Sequence, residues 1–70
     1  MAWNYRVGYD KPGQTFAIYS AYYSDEGEVT STSAEPAVVE GGSLEELRAE
    51  LGRMLAALES PVLNMEKFSD

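Results

Sequence analysis

Twelve Asp and Glu side chains, with no His and no Cys anywhere in 70 residues, bound the chemistry this chain could attempt. Acid–base catalysis near neutral pH usually draws on His, so a reaction here would have to run on paired carboxylates. Asp10, Asp25 and Glu26 lie in turn-forming stretches, and Glu45, Glu46, Glu50 and Glu59 fall on the polar side of a helical pattern. Water at such positions holds a carboxylate near its ordinary pKa, which is the behaviour of a solvated surface. No catalytic residue is assigned, and the chain reads as a non-enzyme.

Three other constellations could bind a ligand. Gly41-Gly42-Ser43 opens a helical stretch, where free backbone N–H groups can cradle a phosphate. Glu40, Glu45 and Glu46 surround it and would repel an anion, and the Lys of a phosphate-binding loop is missing, so it reads as a helix cap. Asp25-Glu26-Gly27-Glu28 has the charge of a calcium loop without its alternating ligand spacing or closing Glu, and reads as a turn. Without Cys or His there are no disulfides and no thiolate or imidazole metal sites; no metal and no cofactor are expected.

Five basic residues against the twelve acids give a net charge of −7 and a pI near 4.3. Nucleic-acid binding draws on Lys and Arg to neutralise phosphates, and Arg6, Lys11, Arg48, Arg53 and Lys67 are scattered. Direct nucleic-acid binding is therefore not expected, nor is attachment to an anionic membrane. The longest apolar run, 54–58, is far short of a bilayer span, and no stretch resembles a secretory signal. These features predict a soluble, cytoplasmic protein.

Seventy residues make one domain, which buries only about 60% of the surface its unfolded chain exposes. A core of that size supplies about 3–5 kcal/mol. With disulfides and metal excluded, self-association is the stabiliser left.

Residues 3–9 alternate Trp3, Tyr5, Val7, Tyr9 against Asn4, Arg6, Gly8, the period of two of a half-buried strand. Pro12-Gly13 fits a type II turn, and a second strand follows over 15–23. A two-residue loop there pairs Tyr9 with Phe16, Val7 with Ile18, Tyr5 with Ser20 and Trp3 with Tyr22. Gly27 sits where a three-residue turn needs a left-handed residue, which predicts a third strand over 28–34, ended by Pro36.

Ser43 then carries the signature of an N-cap, with Glu46 three residues on. Leu44, Leu47, Leu51, Met54, Leu55 and Leu58 form one apolar stripe, so the spacing predicts an amphipathic helix over 44–60, stopped by Pro61. The tail, 61–70, carries Val62, Leu63, Met65 and Phe68, enough to lie back along the domain or to cross to another subunit. The expected fold class is α+β: a three-stranded antiparallel meander packed in two layers on one C-terminal helix.

Seven of the eight aromatic residues lie in the first 23 positions, and one sheet face cannot hide them all. The register predicts Trp3, Tyr5, Tyr9, Phe16 and Tyr22 under the helix, with Tyr19 and Tyr23 on the opposite face beside Arg6, Ala17 and Ala21. Tyr, small residues and an Arg have the composition of a protein interface. Arg6, Ala17, Tyr19, Ala21 and Tyr23 are therefore the candidate interface, on a face expected to be bare.

At Trp3-Asn4-Tyr5-Arg6-Val7, Glu35-Pro36, Leu44-Glu45-Glu46-Leu47-Arg48, Arg53-Met54-Leu55, Ala57-Leu58 and Pro61-Val62-Leu63 the chain resembles a group of short, uncharacterised bacterial proteins. The resemblance covers roughly 3–63 and implies a cytoplasmic bacterial protein of strand-strand-strand-helix layout, with no activity to carry over. In outline, Gly41-Gly42-Ser43-Leu44-Glu45-Glu46 is also similar to the sheet-and-helix domain of HicB-type antitoxins. The DNA-binding segment many of those antitoxins carry has no counterpart here.

These readings converge on a small acidic protein-interaction module that binds a protein partner, with a homodimer expected. The alternative is an acidic nucleic-acid mimic or antitoxin-like inhibitor that occupies a DNA- or RNA-acting protein.

Overall fold

A computed structural model describes residues 2–68. Four strands, β1 (Trp3–Asp10), β2 (Thr15–Tyr23), β3 (Val29–Thr32) and β4 (Leu63–Asn64), form one sheet in the order β3-β2-β1-β4. One helix, α1 (Leu44–Ala56), continues into a 3-10 turn at Ala57–Glu59, and a second 3-10 turn covers Met65–Lys67. The molecule is a small α+β protein. β1, β2 and β3 pair antiparallel as expected, and the sheet departs from the expectation in a fourth strand: β4 runs parallel to β1, with Gly8 opposite Leu63 and Tyr9 opposite Asn64, so the sheet is mixed.

The hairpin has the expected register, Trp3 opposite Tyr22 through Tyr9 opposite Phe16. Its turn differs. The Gln14 amide donates to the Lys11 carbonyl at 3.1 Å, and the left-handed residue is Gln14 (φ 53°), with Gly13 outside that region. A type II turn would need Gly13 there, so this is not one. Pairing closes at Asp10 and Thr15 around a four-residue loop, which keeps the same face pattern because its length remains even.

Gly27 has φ 84°, and its N–H donates to the Ser24 carbonyl at 2.9 Å, closing the second turn. β3 is shorter than the expected 28–34, with a register shift between Tyr22 and Tyr23. Beyond it the chain keeps touching β2: Ser33 N–H donates to Ser20 O and Ala37 N–H to Ile18 O, both at 2.8 Å.

The Ser43 hydroxyl oxygen accepts from the Glu46 N–H at 3.1 Å, and the Glu46 carboxylate accepts from the Gly42 N–H at 3.0 Å. This is a capping box displaced by one residue at its second contact. Glu45 and Glu46 at the first turn and Arg53 at the last complement the helix dipole. Helical structure ends at Glu59, just before Ser60 and Pro61, close to the expected limit.

The tail returns to the sheet. After Pro61 it pairs with the free edge of β1 as β4, then turns across the sheet at Met65–Lys67. Ser69 and Asp70, the end of the expected 61–70 tail, lie outside the described residues, as does Met1.

Candidate interaction surface

Alternation along β1 and β2 gives the sheet two faces. One carries Trp3, Tyr5, Val7, Tyr9, Phe16, Ile18 and Tyr22, the other the candidate interface: Arg6, Ala17, Tyr19, Ala21 and Tyr23. The second face was expected to be bare. In the structure it is the better covered: Tyr19 is 8% exposed and Ala21 0%, while Ala17, Tyr23 and Arg6 are half-buried.

The tail contributes to this cover, docked where Gly8 lets it approach the sheet. A Cβ built on Gly8 would collide with the Met65 side chain and stand 2.8 Å from the Tyr19 ring, so only glycine lets Met65 descend to the sheet. Arg6 fastens the other end: its Nη1 donates to the Tyr23 hydroxyl at 2.9 Å and its Nη2 to the Pro61 carbonyl at 2.7 Å. Tyr23 in turn donates to Asn4 Oδ1 at 2.8 Å. Arg6 and Tyr23 thus hold the tail against the sheet. Tyr19, Met65 and Phe68 also border a hollow of about 470 Å³ with Asp10 and residues 32–34.

Covering differs on the first face. α1 and its 3-10 extension pack mainly on β1, and Val7 is buried, but Trp3 and Phe16 stay more than half exposed. Each exposed ring pairs with a half-buried tyrosine: Trp3 stands edge-on to Tyr5 at 5.3 Å between centroids, and Phe16 meets Tyr9 at 4.7 Å. Trp3 and Phe16 under the helix is therefore a corrected expectation. Phe16 lies on β2, beyond the reach of a short helix packed on β1, while Trp3, at the start of β1, stands at the rim of an open hollow beside the helix.

The helix is also turned. Met54 and Ala57 are buried and Leu47 and Glu50 half-buried, whereas Leu44 is 82% exposed, Leu51 48%, Leu55 67% and Leu58 60%. At 3.6 residues per turn the exposed leucines lie about a quarter turn from the buried side. Ala57 and Ala56 let the helix backbone approach β1, and with Trp3, Asn4, Tyr5, Arg53 and Ser60 they line an open hollow of about 530 Å³. The leucine stripe is left to solvent.

Electrostatics around this junction are modest. Arg53 pairs with Glu50 at 3.2 Å one turn back on α1. Burial, then a hydrogen bond to Glu50 and the charge of that carboxylate, raises the Tyr5 phenol above its ordinary pKa. Among the described residues no three acids converge to hold a metal ion, and no helix is long and apolar enough to cross a membrane.

The surface that stands out was missed in the sequence as a surface, although its signal was present. Leu44, Leu51 and Leu58 recur at intervals of seven, with Leu55 beside them, a stripe too wide for one strand to cover once Leu47 and Met54 turn inward. Comparison with known families, curated proteins and solved structures finds no match.

Proposed function

We propose that this chain is a non-catalytic protein-interaction module of the cytoplasm whose binding surface is the leucine face of α1. The observation that carries this reading is the exposure of Leu44, Leu51, Leu55 and Leu58 together on one side of a well-capped helix. Scattered apolar residues on a surface need no explanation, but a contiguous row of large ones marks a contact site. Aligned leucines on a helix are also the anchors by which helices enter apolar grooves or pair with other helices. Cytoplasmic placement is the setting that a chain without Cys suits.

Crosslinking in the source cell tests the reading. The parent chain should be recovered in species larger than itself, and Leu51→Gln with Leu55→Gln should remove them while circular dichroism stays native. Crosslinked species that survive the double substitution unchanged would move the contact off this face and end the proposal.

A further inference from the structure

We infer that the partner on the leucine face is a second copy of this chain, with α1 packed antiparallel on α1 about a two-fold axis at Leu51. This rests on the reading of that face as the binding surface and names its occupant.

The chain exposes more surface than a finished monomer should. A folded monomer of 7.7 kDa has an accessible surface of about 4,300 Å²; this one has 5258 Å². Its excess, about 900 Å², is close to the roughly 800 Å² that each partner buries in a stable interface. Its radius of gyration, 12.4 Å, likewise exceeds the roughly 11 Å of a compact domain of this length. Among the described residues the buried apolar core is Val7, Tyr19, Ala21, Met54 and Ala57, and no large side chain is completely buried. The missing burial matches what one more copy would contribute.

The spacing on the face is self-complementary. Leucines seven residues apart stay in register along a helix–helix seam. With the axis at Leu51, Leu44 of one copy meets Leu58 of the other, Leu51 meets its own equivalent, and Leu55 lies toward Leu47. Leu44, Leu51 and Leu58 thus each find a counterpart in three layers, as an isologous contact requires, with Leu55 flanking them. A lipid surface fits poorly, since a chain of net charge −7 is repelled by anionic headgroups.

The same charge supplies a signature. Two chains of −7 repel, while the seam itself is apolar, so added salt screens the repulsion and tightens the dimer. A basic hetero-partner attracted by that charge would show the reverse.

Because the chain has no Cys, Leu51→Cys places a single thiol on the proposed axis. Sedimentation of the purified parent should show a dimer at micromolar concentration, with at least several-fold tighter association at 500 mM than at 50 mM salt. Under copper–phenanthroline oxidation Leu51→Cys should form a disulfide dimer at least tenfold faster than Glu45→Cys, whose side chain lies well off the leucine face. A monomeric parent at every salt concentration overturns the inference. If crosslinked species in the cell still depend on Leu51 and Leu55 in that case, the binding face stands with a hetero-partner; if they do not, both fail. A dimer in which the two Cys variants oxidise at equal rates also overturns it, placing the contact elsewhere.

Discussion

Two apolar surfaces of this protein have opposite fates. The sheet face of Arg6, Gly8, Ala17, Tyr19 and Ala21 is covered within the monomer, with the tail's Met65 set over Gly8, while Leu44, Leu51, Leu55 and Leu58 on α1 and its 3-10 extension are left open. The sealed face carries the smaller residues. Close packing needs backbones that can approach, and Gly8 and Ala21 on the sheet, like Ala57 on the helix side, provide that approach. Large side chains hold neighbours apart unless a partner shaped to them arrives. Residue size therefore separates what this chain folds around from what it offers.

Charge on each surface sets the contrast most sharply. Ala21→Asp puts an unpaired carboxylate where no water reaches and should cost about 3 kcal/mol or more, enough to remove the cooperative urea transition of so small a domain. A variant melting like the parent would show that this face is open to water.

Gly8→Ala comes next. The added methyl meets Met65 and the Tyr19 ring, so the tail must lift, at about 1–3 kcal/mol. Hydrogen exchange at Leu63 and Asn64 should quicken, and Met65→Ala in the same chain should restore part of the loss. An unchanged exchange pattern would detach Gly8 from tail docking.

Ser43→Ala removes the oxygen that accepts from Glu46 N–H and should lower the urea-derived stability by about 1 kcal/mol. Glu46→Ala should cost less, since the amide it releases at Gly42 is exposed to water.

Tyr5 joins the two regions, and its raised pKa has a defined sign. The folded state holds the phenolic proton more tightly, so its stabilising contribution is complete below pH 10.0 and is lost as pH rises through the higher folded value. In a spectrophotometric titration Tyr5→Phe should remove a phenol that ionises above pH 10.0.

The smallest effect belongs to the open surface. Leu55→Gln, measured below the concentration of self-association, should change stability by less than about 0.5 kcal/mol. A loss of several kcal/mol would mean that the leucine face is internal to the monomer and would erase the contrast.

Local pattern already determined a good deal. The alternation of β1, the pairing of Tyr9 with Phe16 and its neighbours, the left-handed Gly27 and the Ser43 cap were all legible, because each depends on residues close in the chain. A strand has two faces and a paired hairpin one register, so few arrangements remain once the pattern is read. Which face is buried was decided elsewhere. It depended on the tail pairing parallel to β1, on Met65 descending onto Gly8 and on Arg6 reaching the Pro61 carbonyl, contacts between residues 55 or more apart in sequence. The rotation of α1 has the same origin. Six apolar side chains spread over more than a quarter of the helix circumference can settle on either edge of the stripe, and only the neighbouring strand chose Met54 and Ala57 over the leucines.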